Sequence, residues 1–351
     1  MNIALFINSL SNSGGTERVS TLLANHLAQN NKVFFISRLK SNPFFELDDR
    51  IKYLYLGKEN ENIFLNYAKY LYKVSSIIKE YHINIWIDVS TSLSLISIPC
   101  KLLCKFDVLA WEHFNLTWEW NWFTAKISRY LACHYAKNVI VLTKTDSIRY
   151  KEKFGTSNII CIPNPVTIAH VDRNVDEKKI VLSVGRHTYQ KGQDMMLDMW
   201  AKTQCRNKGW KLRIVGGGEL EEELNERILQ LGVGETVEMI PATKEMEKLY
   251  SEADIFILSS RWEGLPLALI EAISVGLPVV SFNCETGPRD VVVDSYNGYL
   301  IDCFDVDNFA QKIDELSENK ELRMKFSSNS LIKSKDFSPI AFYDNWNRLL
   351  R

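Results

Sequence analysis

Residues 254–282 read DIFILSSRWEGLPLALIEAISVGLPVVSF, two buried-strand patterns with a turn and an apolar helix between them. DIFILSS is a continuous apolar run of strand length, and PVVSF is another. Between them, Pro266 suits the first turn of a helix, and Gly276 followed by Pro278 stops that helix before the second strand begins. A strand, a crossover helix and a second fully apolar strand make a βαβ unit, the building block of a parallel sheet covered on both faces. Gly264 and Leu265 then sit at a helix N-terminus, where free N–H groups and the helix dipole favour an anion and glycine lets a phosphate approach the backbone. LALIEAISVG is apolar almost all round, so Glu271 is a charge on an otherwise buried element. Glu263 precedes the turn, and Glu271 lies on the order of 8 Å along the helix from it. Sugar at Glu263, diphosphate at the helix N-terminus and ribose at Glu271 would fit that spacing. The same two carboxylates are also explained by a dipole-complementing Glu263 and a Glu271 that reaches solvent.

The same alternation runs through the chain. NIALFI, KVFFIS, INIWIDV, DVLAW and NVIVLT alternate with helical-period stretches such as ERVSTLLANHLAQ and NYAKYLYKVSSIIKEY. It pauses at CIPNPVTIAHVDRNVDEKK, which reads as a linker, and resumes with IVLSVG, LRIVGG, VEMIP, DIFILSS, PVVSF and GYLID. The expected fold is α/β: two doubly wound, Rossmann-like domains, residues 1–165 and 166–336, facing each other across a cleft. SPIAFYDNWNRLLR, ending the segment 337–351, reads as a helix that could cross back onto the first domain. A chain of 351 residues is long enough for two cores.

Net charge is −1, which gives no general reason to expect nucleic acid as a partner. The halves differ: residues 1–165 hold 19 Lys+Arg against 13 Asp+Glu, leaving 23 against 30 in the remainder. The first half is the better face for an anionic partner. Seven cysteines without CxxC pairs or zinc-ligand spacing read as reduced thiols in a cytoplasm. MNIALFINSL lacks a basic n-region and reads as a first strand, and no apolar run reaches the roughly 18 residues of a membrane span. Any membrane contact is expected to be peripheral.

The spacing of Glu263 and Glu271 inside RWEGLPLALIEAISVGLPVVSF resembles the signature of the retaining glycosyltransferases of family 4, whose GT-B fold consists of two facing Rossmann-like domains. The resemblance covers essentially the whole chain. It implies that Glu263 contacts the transferred sugar, that the amides at Gly264 and Leu265, with Pro266 completing the turn, mark the diphosphate site, and that Glu271 binds the ribose of a UDP-sugar.

Other motifs fit the same plan. VGRHTYQKG follows the strand IVLSVG and places Arg186 and Lys191 five residues apart, two cations for a leaving diphosphate or a solvated surface pair. The resemblance assigns them to the diphosphate. GGGEL, residues 216–220, opens a helix after a strand but lacks GxGxxG and an acidic ribose partner, which argues against NAD. The resemblance places its Gly218 near the nucleotide base. SNSGGTER offers Gly14 and Gly15 for close backbone approach and Thr16 as a helix cap; the resemblance implies a loop meeting donor (Gly15) and acceptor (Gly14, Thr16). His113 stands just beyond the strand in LAWEHF, a position that by itself suits a structural histidine and that the resemblance assigns to a sugar contact; Glu112 beside it has no assigned role.

TWEWNWFTAKISRYLACHYAK groups Trp118, Trp120, Trp122 and Phe123 ahead of Lys126, Arg129 and Lys137, a pattern for docking at a bilayer surface or for a buried stripe. NCETGPRDVV adds a Gly-Pro turn with Arg289 and, with SGGTERV, resembles family members that extend polyprenyl-diphosphate-linked saccharides for O-antigen or capsule. Asp305 and Asp307 form a DxD triplet that helix capping explains, so neither a catalytic metal nor another cofactor is expected. The reading is a cytoplasmic glycosyltransferase, peripheral to the inner membrane if bound there. It carries a hexose or N-acetylhexosamine from a UDP-sugar to a saccharide acceptor. The alternatives are a sugar-nucleotide epimerase of similar architecture and a nucleotide-sugar sensor without turnover.

Overall fold

A computed structural model describes residues 1–117, 122–169, 171 and 177–351, with backbone only at 122. The chain forms two compact units, Met1–Asn164 with Ile340–Arg351, and Pro165–Pro339. The first is built on seven parallel strands, β1 (Asn2–Ile7), β2 (Lys32–Leu39), β3 (Lys52–Gly57), β4 (Ile85–Asp88), β5 (Asp107–Trp111), β6 (Asn138–Val141) and β7 (Ile159–Cys161), in the order β3-β2-β1-β4-β5-β6-β7. The second has six, β8 (Ile180–Val184), β9 (Lys211–Gly216), β10 (Val237–Pro241), β11 (Ile255–Leu258), β12 (Val279–Phe282) and β13 (Gly298–Ile301), in the order β10-β9-β8-β11-β12-β13. Both are Rossmann-like, and in each the strand order reverses beside the first strand of the unit.

The central strands are apolar because helices cover both of their faces: β1, β4, β11 and β12 are buried almost throughout. Their carboxyl ends matter most. In the second unit β8 pairs with β9 on one side and β11 on the other, so the loops after β8 and β11 diverge to opposite faces of the sheet and leave a crevice between them. In the first unit β1 pairs with β2 and β4 in the same way.

Two strands depart from the sequence reading. KYLYLG, which was not among the strand patterns read, forms the edge strand β3, with its first four residues exposed or half-exposed. β7 is only three residues long and ends at Cys161, the first residue of the segment read as linker. The terminal segment is helical from Pro339 to Leu350, and its Phe342 and Trp346 lie against Trp111, with ring centroids 6.1 and 4.8 Å away.

Candidate active site at the strand-order reversal of the second unit

Glu263 follows β11 and Lys191 follows β8, and the crevice at the sheet's reversal brings them together. Lys191 Nζ lies 2.6 Å from Glu263 Oε1, with the carboxylate side chain 5% exposed and the lysine 19%. Ser260 Oγ donates to the same oxygen at 2.6 Å. The two loops are laced along their length: Ser259 Oγ donates to the Lys191 carbonyl at 2.9 Å, and Gln190 Nε2 to the Trp262 carbonyl at 3.0 Å. Arg261 grips Asp194 with two hydrogen bonds of 2.9 and 2.6 Å while its guanidinium sits 3.9 Å above the Tyr189 ring. Such a pair of loops holds its charges in place before any ligand arrives.

Gly264 and Leu265 lead into Pro266, the N-cap of the helix Leu267–Ser274. Pro266 itself supplies no capping side-chain hydrogen bond. A helix start of that kind favours an anion. The turn is braced from the loop after β12, which sequence reasoning gave no role here. Thr286 Oγ1 donates to the Glu263 carbonyl at 2.7 Å, and Gly287, with φ +94°, packs so closely that a Cβ would stand 2.4 Å from the Gly264 carbonyl oxygen. The TGP sequence was the available signal.

Glu271 is 4% exposed, and it does not reach solvent past its neighbours. Its Oε2 accepts from the Tyr250 hydroxyl at 2.8 Å and its Oε1 from the Thr167 hydroxyl, two partners without a local sequence signal because they lie 21 and 104 positions away. Arg186 is exposed at the end of β8. Gly218 lies against the next residue: a Cβ there would come within 2.5 Å of the His187 carbonyl oxygen, and His187 N donates to the Gly217 carbonyl at 2.9 Å. His187, also unmarked by sequence reasoning, is buried with neither ring nitrogen hydrogen-bonded, and burial lowers its pKa.

The first unit presents its own residues at strand ends. Gly14 is the extended N-cap of the helix Gly15–Leu27, and no side chain caps it. Thr16 therefore does not cap: it is the second helical residue, one turn position too late for its hydroxyl to serve the first free amides. His113 follows β5, buried, with its ring centroid 4.5 Å from that of Trp111 and its Nε2 without a partner. Burial holds its pKa down at about 3, so the ring is neutral at physiological pH. Glu112 acquires a structural role: its Oε2 accepts from Arg129 Nε at 3.2 Å, from Tyr150 at 3.0 Å and from Thr91 at 2.5 Å. Arg129 also donates to the carbonyls of Leu116 and Asn115, fastening the loop that carries His113.

This corrects the grouping of Arg129 with bilayer-facing cations, since a guanidinium committed to Glu112 and two carbonyls is 6% exposed. Trp118 and Trp120 lie outside the described residues, as does the side chain of Trp122, whereas Phe123, Ile127, Tyr130 and Tyr135 of the helix Trp122–Tyr135 are exposed. Asp305 caps the helix Val306–Glu318 through the Asn308 amide, and Asp307 pairs with Lys202 at 2.6 Å. Among the described residues no group of three or more His, Cys, Asp or Glu is placed to hold a metal ion.

Comparison with known proteins agrees with this architecture. The family of glycosyl transferases group 1 matches residues 167–331, the segment that holds the Lys191–Glu263 pair and Glu271. An uncharacterized glycosyltransferase of Haemophilus influenzae is 33% identical over 350 residues, covering 99% of both chains. The Campylobacter jejuni GalNAc-α-(1→4)-GalNAc-α-(1→3)-diNAcBac-PP-undecaprenol α-1,4-N-acetyl-D-galactosaminyltransferase is 25% identical, covering 100% of this chain and 98% of its own. Among solved structures, a mutant of S. aureus TarM in complex with fondaparinux, α-GlcNAc-glycerol and UDP superposes with a TM-score of 0.84 at 16% identity, covering 99% of both chains. With two Rossmann-like sheets and a relative one-third identical along its whole length, the chain belongs to the group 1 glycosyl transferases and has the GT-B fold.

Proposed function

We propose that this glycosyltransferase moves a hexose or N-acetylhexosamine, with retention of anomeric configuration and without a catalytic metal, from a UDP-sugar to a saccharide acceptor carried on polyprenyl diphosphate. The observation that carries the reading is the Lys191–Glu263 pair, preorganised beside the N-terminus of the helix Leu267–Ser274. A nucleoside diphosphate laid along that helix start meets the amides around Gly264 and Leu265, with Lys191 and Arg186 as its counter-charges. As the bond from sugar to diphosphate breaks, negative charge builds on the departing phosphate oxygens. A cation held in place as Lys191 is lowers that barrier more than water does, because it needs no reorganisation, and Arg186 adds a second charge. Glu263 accepts from a hydroxyl of the sugar, Glu271 from the ribose, and the Gly218 turn flanks the base. His113, neutral, is assigned a sugar contact, Gly14 and Thr16 the acceptor, and Gly15 the donor.

The undecaprenol-diphosphate substrate named for the Campylobacter relative supports a lipid-linked acceptor, and the UDP held by TarM supports the donor. A route to surface polysaccharide such as O-antigen or capsule follows from that acceptor class. Peripheral contact with the cytoplasmic face of the inner membrane belongs to the same proposal, with Phe123, Ile127 and Tyr130 beside Lys126 as the docking stripe. No helix among the described residues is long and apolar enough to cross a membrane.

A thermal-shift screen with UDP, GDP, ADP and NAD, with and without Mg²⁺, followed by donor turnover in wild type and Glu263→Ala, tests the reading. The expected result is a selective shift with UDP without metal, and turnover that is lost in the variant. A shift with NAD alone overturns the donor class, binding without turnover in wild type makes the protein a sensor, and full turnover in Glu263→Ala removes Glu263 from the chemistry.

A further inference from the structure

Tyr250 and Thr167 donate to the carboxylate of Glu271, and they are donors of different kinds. Tyr250 is fully buried in the helix Met246–Glu252, its ring 6.1 Å from that of Phe256, and its hydroxyl meets Glu271 Oε2 at 2.8 Å, with the Ala268 carbonyl a longer acceptor at 3.3 Å. Thr167 is half-buried in an irregular segment that begins where the first unit ends at Asn164, anchored by the Val166 amide on the Phe337 carbonyl at 2.9 Å. Its hydroxyl donates to Glu271 Oε1. An aliphatic hydroxyl on a carboxylate is the same chemical contact that a ribose hydroxyl would make.

We infer that Tyr250 is a positioning residue that fixes Glu271 for ribose, and that Thr167 occupies, in the ligand-free chain, the carboxylate oxygen that ribose takes over. This rests on the proposed role of Glu271. The rigid partner orients the carboxylate and stays; the partner on the connecting segment is displaced. Nucleotide binding therefore competes with the Thr167 contact, and the measured affinity is the intrinsic one reduced by the fraction of molecules in which Thr167 still holds Oε1. Donor binding and release of the Thr167 contact become one event.

Calorimetric titration of the full chain with UDP and with 2′,3′-dideoxy-UDP separates these roles. Thr167→Val, nearly isosteric at a half-buried position, is expected to tighten UDP about fivefold, the factor of one ordinary hydrogen bond, and to leave dideoxy-UDP unchanged. Tyr250→Phe is expected to weaken UDP by a similar factor and dideoxy-UDP much less. A merely structural role for either residue would move both ligands together, and that result overturns the inference. UDP affinity that is unchanged or weaker in Thr167→Val overturns it too, provided that Glu271→Gln weakens UDP. If Glu271→Gln leaves UDP affinity untouched, the donor-site reading itself fails.

Discussion

Lys191→Met probes the centre of the site. At 2.6 Å, and with an effective dielectric constant of about 20, the Lys191–Glu263 attraction is roughly 6 kcal/mol before desolvation is subtracted. What a variant feels is the group left behind. Glu263 is 5% exposed, and removing the cation strands a buried carboxylate, which typically costs about 3–5 kcal/mol. The partial exposure of Lys191 lets water relax into the vacancy, so the lower end, about 3 kcal/mol, is expected. Glu263→Gln is milder, about 1 kcal/mol, because the ammonium it leaves can turn towards solvent and the amide still accepts from Ser260. The double variant should recover about 2 kcal/mol relative to the sum of the two single changes. Urea unfolding followed by circular dichroism gives the stabilities, and metal-free UDP titration gives the ligand effect. Lys191→Met should weaken UDP by about ten- to a hundredfold, the value of one charge-assisted hydrogen bond, while Glu263→Gln changes it less than threefold. A Lys191→Met midpoint within about 0.5 kcal/mol of wild type, as for an exposed surface pair, would refute the reasoning.

Three other outcomes are expected. Gly287→Ala places a Cβ 2.4 Å from the Gly264 carbonyl oxygen at a φ of +94°, so it should destabilise the second unit by about 2 kcal/mol or more and weaken UDP binding; a variant with wild-type melting and affinity contradicts the bracing role. Asp88 is wholly buried at the end of β4 and its pKa is raised to about 7 by burial, against hydrogen bonds from Ser97, Ser94 and Trp86 that lower it. A raised folded-state pKa contributes stability that is complete below about pH 3.8 and is lost as pH climbs through 7, so Asp88→Asn should flatten the pH dependence of melting between those values, and an unchanged slope rules Asp88 out as its source. Trp346→Ala deletes a fully buried ring packed on Trp111 and should cost about 3–5 kcal/mol by urea unfolding; a cost under about 1 kcal/mol would show that the terminal helix is not fixed there.

Residues 254–282 were the most legible part of the chain because a buried parallel strand and an apolar helix bounded by proline and glycine each write themselves in consecutive residues. All six strands of the second sheet were read, β8, β11, β12 and β13 for that reason and β9 and the edge strand β10 in spite of partial exposure. β3 was not read, although YLYL is apolar, because it is short and lies at the sheet edge with most of its length exposed or half-exposed, and β7 is too short to show a pattern. In the candidate site, local placement was legible: Gly264 and Pro266 at a helix start, and Arg186 and Lys191 after a strand. Their partners were not. Thr167 reaches Glu271 across 104 positions and Lys191 reaches Glu263 across 72, contacts that exist only once the sheet order is set. Arg129 shows the same limit from the other side. A cation in an aromatic-rich helix looks like a surface group until Glu112, 17 positions earlier, is seen buried beneath it.

The most direct test of the central claim is the structure of the protein crystallised with UDP. The account predicts the diphosphate at the Gly264–Leu265 turn with Lys191 within hydrogen-bond reach, and the ribose on Glu271. UDP bound elsewhere, for instance at the Gly14–Gly15 loop, with Lys191 still closed on Glu263 and Thr167 still on Glu271, would contradict it.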